Sequence, residues 1–210
     1  MHDTAITSGD AMAHIYGKPG LVVLDIGGQD VNGSLRQSFE SRGMKYICVD
    51  MVEHPSVDIV VGPGEPFPFE DGSVDIIVST SCFEHDPCFW LTFREMARVV
   101  KEGGYIYVNA PSNGPYHGFP GDNWRFYGDA GQALAYWSGR TFEGKSYPTD
   151  VEESFHVLPQ KDIWTDFICV WKRISSPVDK IVDRERRFAK KTLESYLQLE
   201  KNQNIMKMKG

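Results

Sequence analysis

No stretch of this 210-residue chain approaches the roughly 20 consecutive apolar residues that span a bilayer. The opening MHDTAITSGDAMAHIYGK also lacks the basic head and apolar centre of a secretion signal. A membrane-embedded or secreted protein is therefore not expected. Cysteine is scarce: Cys48, Cys82, Cys88 and Cys169 form no CxxC pair. Neither a disulfide scaffold nor a structural zinc site is indicated, and reduced thiols in a cytoplasmic protein are the expectation. Positive charge is short overall, the net being −7, which argues against a general affinity for nucleic acid. The glycine turn at Gly27-Gly28 lacks the G-x-G-x-x-G spacing of a dinucleotide site, and no GK[ST] phosphate loop is expected anywhere in the chain.

What is present is a core and a rhythm. Aromatic residues make up 12% of the chain, ample for a packed interior. Short apolar runs at Leu21–Ile26, Tyr46–Val49, Val57–Val61, Val74–Ser79 and Tyr105–Ala110 read as buried strands. Helices are expected over 32–42, with Asn32 or Ser34 near the cap and Gly43 beyond the end, and from Pro87 to about Lys101. Strand alternating with helix implies right-handed crossovers and a doubly wound parallel sheet. After Ala110 the pattern changes. Residues 111–126 form a long glycine- and proline-rich loop, a short helix follows over 129–138, and strand-like segments at 141–147 and 163–172 can pair antiparallel. The expected fold is thus a Rossmann-like, mostly parallel seven-stranded sheet with an antiparallel last strand. A C-terminal helix from Pro177 to about Leu199 completes it.

The chemistry is concentrated at strand ends. Asp25 stands two residues before Gly27-Gly28 at the end of the first strand, and Asp50 ends the second. Adjacent strand ends in an open parallel sheet line one crevice, where nucleotide-like ligands bind. Asp50 can accept both hydrogen bonds of a ribose diol. A carboxylate at position 25 would repel a pyrophosphate but suits the cationic amino-acid end of S-adenosylmethionine. The alternative for both aspartates is a polar residue ending a strand or capping the next helix.

Four motifs in order, VVLDIGG, the acid in CVD, EPFPFEDGSVDIIVSTSCFEH and REMARVVKEGGYIYV, resemble the class I S-adenosylmethionine-dependent methyltransferases, specifically the small-molecule type 11 group. The similar stretch runs from Val22 to Ala110. The resemblance implies that Asp25, Gly27 and Gly28 line the methionine part of the cofactor, that Asp50 binds the ribose and that Met51 packs on the adenine. The backbone around Ser79 to Ser81 would border the sulfonium. One departure stands out: Gly62-Pro63-Gly64-Glu65 has proline where the family commonly places an acid against the adenine amino group. Recognition there would fall to backbone carbonyls around Gly64 or to Glu65. The later GPYHGFPGDNWRFYGDAGQAL resembles a loop in members thought to act on sugars or related polar metabolites.

Methyl transfer needs in-line positioning and, for an oxygen acceptor of high pKa, a base. His85, directly after the fourth strand, and His117, in the long loop, are the candidates, with Asp122 orienting or acting as a second base. Their plainer readings are a structural hydrogen bond at a helix start and an exposed loop histidine. His117 and Asp122 alone are too few ligands to assign a metal. Tyr116, Phe119 and Trp124 can anchor the loop or stack on substrate.

Charge divides the chain. Residues 172–210 hold 11 Lys+Arg against 5 Asp+Glu, a net of +6, and the remainder hold 11 against 24, a net of −13. A methyltransferase domain over 1–172, with 1–20 as a helical lead-in, is expected to carry a basic helical extension over 173–210. That helix can pack on the domain or on a second copy of the chain; nucleic-acid binding is disfavoured because acids interleave Arg184, Arg186, Arg187, Lys190 and Lys191 and no stacking platform accompanies them. The expected function is methyl transfer from S-adenosylmethionine to an oxygen or nitrogen of a small polar, sugar-like acceptor. The competitors are a degenerate cofactor-binding module and an NAD(P)-dependent oxidoreductase.

Overall fold

In the computed structural model, residues 3–118, 120–158, 163–176 and 192–198 are described. The chain order is α1 (Asp3–Tyr16), β1 (Val22–Ile26), α2 (Arg36–Glu40), β2 (Lys45–Asp50), β3 (Ile59–Val60), β4 (Val74–Thr80), α3 (Phe89–Val99), β5 (Val100–Pro111), α4 (Ala130–Ser138), β6 (Thr149–Val157) and β7 (Asp166–Arg173). One sheet of order β3-β2-β1-β4-β5-β7-β6 contains all seven strands. The pairs from β3 to β5 are parallel, and β7 runs antiparallel to both β5 and β6. The mostly parallel sheet with an antiparallel last strand is therefore as expected. No helix among the described residues is long and apolar enough to cross a membrane.

Both faces of the sheet are covered because its strands are apolar on both sides. Successive residues alternate between faces. Leu24, Ile77, Phe167 and Trp171 pack with Phe93 and Met96 of α3 and Leu134 of α4. Val23, Ile76, Val78, Ile168 and Val170 pack with Met12 and Tyr16 of α1 and Phe39 of α2. Residues 192–198 are helical, and Leu193, fully buried, joins this second layer. The rest of the expected terminal helix, including Arg184 to Lys191, lies outside the described residues.

The boundaries differ from expectation in four places. The helix expected over 32–42 is only the short α2, because residues 27–35 are spent on a loop whose backbone finds partners in Asp50, Ser56 and Asp30. Ser34 does serve its start, its Oγ accepting from Arg36 N at 3.1 Å, and Gly43 follows its end at φ 78°. The helix after Pro87 begins later, at Phe89, since the Asp86 carboxylate accepts Cys88 N at 2.8 Å and holds a turn first. It also ends earlier, because β5 starts at Val100, with an irregularity in its pairing to β4 between Val74 and Ile76. The third strand shrinks to Ile59–Val60.

The fourth difference is a displaced strand. The segment expected as a strand over 141–147 is a tight turn in which Phe142 and Lys145 exchange backbone hydrogen bonds at 2.9 and 3.0 Å, with Glu143 and Gly144 both left-handed. Gly139 to Ser146 also spells G-x-x-x-x-G-K-S. That turn lies between a helix and a strand, the reverse of the strand-to-helix setting that a phosphate loop requires. The penultimate strand is instead β6, over Thr149–Val157.

Candidate active site

The C-terminal ends of β1, β2, β3 and β4, the loop after β5 and the start of β7 enclose a cavity of about 810 Å³. Its wall includes Ile26 and Gly27 after β1, Val49 to Val52 at β2, Val61 to Pro63 after β3, and Thr80 to Cys82 with Glu84 to Pro87 after β4. His117, Pro120, Gly121 and Asn123 from the loop and Asp166 of β7 close the far side. The volume lies in the range of small-molecule and cofactor sites.

At the β1–β2 end, Asp50 receives hydrogen bonds from Gln29 N (3.1 Å) and Met51 N (2.7 Å), one on each carboxylate oxygen. Each oxygen keeps a second acceptor direction, so the group can still take a diol. Met51 lines the cavity and is 45% exposed, an apolar surface available to a ring. Asp25 sits deeper. It is fully buried, accepts the Tyr46 hydroxyl on Oδ2, and has no hydrogen-bond partner on Oδ1. Burial pushes its carboxyl up to about 7, against the opposing pull of the Tyr46 hydrogen bond. The glycines accommodate these neighbours: a Cβ on Gly28 would lie 2.3 Å from Asp25 Oδ2, and one on Gly27, at φ 73°, would lie 2.3 Å from Cys82 Sγ. Gly27 lines the cavity, whereas Gly28 and Asp25 form the layer beneath.

On the β3 side, Glu65 turns back on its own turn, its Oε2 accepting Gly62 N at 3.1 Å. Gly64, at φ 75°, packs towards Cys88 and Leu91. The residues that reach the cavity are Gly62 and Pro63. Ser79, at the end of β4, is buried and donates to Ile26 O at 2.8 Å, tying β4 to β1. Ser81 lines the wall in a left-handed conformation, φ 50°, held by its N–H to Asn109 O at 3.0 Å. Such a non-glycine conformation persists only where its surroundings impose it.

The long loop is fastened to the segment after β4. Asn123 N and Trp124 N donate to Glu84 O at 2.7 and 3.2 Å, Asn123 Nδ2 donates to His85 O, and Trp124 Nε1 donates to Asp86 O. The Trp124 ring also packs against Phe89 and Trp90. Trp124 is therefore an anchor, while Tyr116 is 78% exposed; Phe119 lies outside the described residues. This fastening carries His117 to His85, ring centres 5.0 Å apart, with Trp164 against the other histidine at 4.7 Å.

Asp122 is engaged on both of its carboxylate oxygens. It makes a two-pronged pair with Arg125 at 2.5 and 2.7 Å and accepts His117 N at 2.8 Å. The Arg125 hydrogen bonds hold its carboxyl well below the usual range. Its role is to fix the His117 segment. The acid sequence reasoning missed is Glu84, 1% exposed, which burial pushes up to about 8. Its one sequence signal was adjacency to His85 in the Phe83-Glu84-His85 run.

A cofactor-sized cavity lies over the carboxyl ends of a seven-stranded Rossmann-like sheet, with an aspartate at its second strand end, the place where nucleotide-like ligands bind in such folds. Comparison with known proteins places the chain further. Residues 24–108 match the family model described as a methyltransferase domain, over the stretch that carries the motifs. An uncharacterized methyltransferase of Mycobacterium sp. (strain KMS) is 37% identical over 94 residues, covering 40% of this chain and 36% of that one. The chain thus spans little over a third of that relative's length. Among solved structures, Burkholderia thailandensis 1,6-didemethyltoxoflavin-N1-methyltransferase, with 1,6-didemethyltoxoflavin and S-adenosylhomocysteine bound, superposes with a TM-score of 0.63 at 18% identity, over 82% of this chain and 79% of that one. The [4+2]-cyclase SpnF superposes at 0.60 and 13% identity, over 82% and 81%. These structural likenesses establish the fold.

Proposed function

We propose that the chain is an S-adenosylmethionine-dependent methyltransferase acting on an oxygen or nitrogen of a small polar acceptor. The observation that carries this is a single cavity with two unlike ends: Asp50, Met51 and the Gly27 turn at one, and His85 and His117 at the other. The cofactor, when bound, supplies an electrophilic methyl group. Asp50 accepts the ribose hydroxyls, Met51 and Pro63 flank the adenine, and Asp25, with its orphaned Oδ1, underlies the Gly27 turn on the methionine side. Gly64, Glu65, Gly28 and Ser79 act by shaping these walls. His85 and His117 stand at the acceptor end of the cavity. A sugar-like acceptor fits the polar loop, and the toxoflavin enzyme shows the same fold serving a nitrogen acceptor.

A non-catalytic cofactor-binding module is the second reading, favoured by Pro63 in the adenine wall. Calorimetric titration with S-adenosylmethionine, S-adenosylhomocysteine and NAD, followed by turnover with an acceptor panel, separates the possibilities. Binding of both adenosyl ligands without NAD is expected; tight NAD binding would overturn the assignment. Asp50→Ala should weaken S-adenosylhomocysteine binding by about 1.5–3 kcal/mol, the worth of hydrogen bonds to a charged group. Unchanged affinity would remove Asp50 from the site.

A further inference from the structure

We infer that Glu84, His85 and His117 form a binding site for a divalent transition-metal ion, of the zinc, cobalt or manganese kind, on the acceptor side of the cavity. This rests on the methyltransferase reading only for what the metal would serve, not for its binding. The three residues each offer a ligand atom, and these atoms lie within 4.8 Å of one another. All three line the same cavity. His85 Nε2 is 3.6 Å from Glu84 Oε1. In a tetrahedral site with bonds of about 2.0–2.2 Å, neighbouring ligand atoms stand about 3.3–3.6 Å apart, so this pair is already at spacing and His117 closes by a small side-chain movement.

The second observation is Glu84 itself. The side chain is 1% exposed, its Oε2 has no hydrogen-bond partner, and it borders the cavity. A buried carboxylate oxygen left without a donor is costly, and a cation is the partner that suits it. The outer contacts fit as well. His85 Nδ1 meets the Gly121 carbonyl oxygen, which makes Nδ1 the protonated nitrogen and leaves the Nε2 lone pair towards Glu84. His117 is held through its backbone, whose N–H donates to Asp122 Oδ2 at 2.8 Å, and its Nδ1, buried and without a hydrogen-bond partner, lies 3.2 Å from the same oxygen. Asp122 is itself pinned by Arg125, so it orients and does not compete as a ligand.

Two imidazoles and one carboxylate leave coordination positions open. An acceptor hydroxyl occupying one would ionise more readily, its proton leaving to solvent and its oxygen free to attack the methyl carbon as the carbon–sulfur bond breaks. The acceptor class this favours is a hydroxyl flanked by a second oxygen donor, such as a vicinal diol or an α-hydroxy carbonyl, which can chelate.

The test uses the full untagged chain, stripped with chelator and titrated with Zn²⁺ and with Co²⁺. Binding of one ion per chain with visible Co²⁺ d–d bands of low coordination number is expected. Glu84→Gln and His117→Ala should each weaken binding by about tenfold or more, with His156→Ala, on the exposed face of β6, leaving it unchanged. Binding weaker than millimolar, binding indifferent to both substitutions, or a thiolate charge-transfer band pointing to Cys82 would each overturn the proposal. S-adenosylhomocysteine affinity, measured on the stripped chain and on Glu84→Gln, reports separately on the cofactor reading. Retained affinity with no metal bound discards the metal site alone, and metal binding without S-adenosylhomocysteine affinity discards the cofactor reading alone.

Discussion

At the scale of single residues, Asp25 occupies a position that costs the fold stability. Its carboxyl is fully buried, has one hydroxyl donor and an orphaned oxygen, and rises from an ordinary value of 3.8 to about 7. A raised folded-state pKa means the native chain holds the proton more firmly than the unfolded chain does. That contribution is complete below about pH 4 and is lost as pH rises through about 7. Asp25→Asn keeps an acceptor for Tyr46 and removes the titration. In urea denaturation the variant should match the parent near pH 4 and exceed it by several kcal/mol above pH 7, on the order of 4 by the linkage relation. It should also lose S-adenosylhomocysteine affinity, which is what would justify retaining a destabilising acid. Parallel stability curves for the two proteins would show that Asp25 is not titrating as its burial implies. Asp25 and Asp50 were visible in the sequence because both end apolar runs. Glu84 was hidden because its significance comes from His117, 33 positions later, and contacts made by loop closure leave no periodic trace.

At the scale of elements, strands read more clearly than helices. A run such as Val74–Ser79 is apolar on both faces and bounded by turns, so its neighbours could not change its assignment. α2 shrank because loop 27–35 satisfies its backbone through Asp50, Ser56 and Asp30, partners remote in sequence. β6 was missed for a different reason. It is an edge strand bearing Asp150, Glu152 and Glu153, and edge strands carry the charge that masks alternation. The loop over 111–126 was legible as a long irregular segment, but its fastening was not. Trp124 supplies that fastening through Asp86 O and the Phe89 and Trp90 rings. Trp124→Ala should free the loop while leaving β1 and β2 intact. The expected outcome is a rise in acceptor KM and a fall in turnover, with S-adenosylhomocysteine affinity within about threefold of the parent, since surface changes away from a contact cost little. A large loss of S-adenosylhomocysteine affinity would show instead that the loop holds the cofactor end.

At the scale of the whole molecule, the division drawn from charge at residue 172 does not coincide with the packing. β7 runs on to Arg173, and residues 192–198 return to the α1 face, where Leu193 is fully buried. The join is a buried carboxylate. Glu153 of β6, 2% exposed, accepts the Tyr16 hydroxyl, Leu193 N at 2.9 Å and Glu194 N at 3.3 Å. Its oxygens meet backbone N–H groups in the first described turn of that helical segment, and such donors favour negative charge. A carboxylate so enclosed is tolerable only while those donors remain, because an uncompensated buried charge costs about 3–5 kcal/mol. Ending the chain after Ser176 should therefore destabilise the domain by about that amount, beyond the loss of Leu193 packing. Glu153→Gln gives the sign that isolates the cause: destabilising in the full chain, where N–H donors lose an anionic partner, and stabilising in the shortened one, where the carboxylate has lost the Leu193 and Glu194 N–H donors. Urea denaturation of the four proteins measures it. If the shortened chain matches the full one, the basic tail is an appendage, as its charge alone suggested; if the sign reverses between backgrounds, the tail completes the domain's own core.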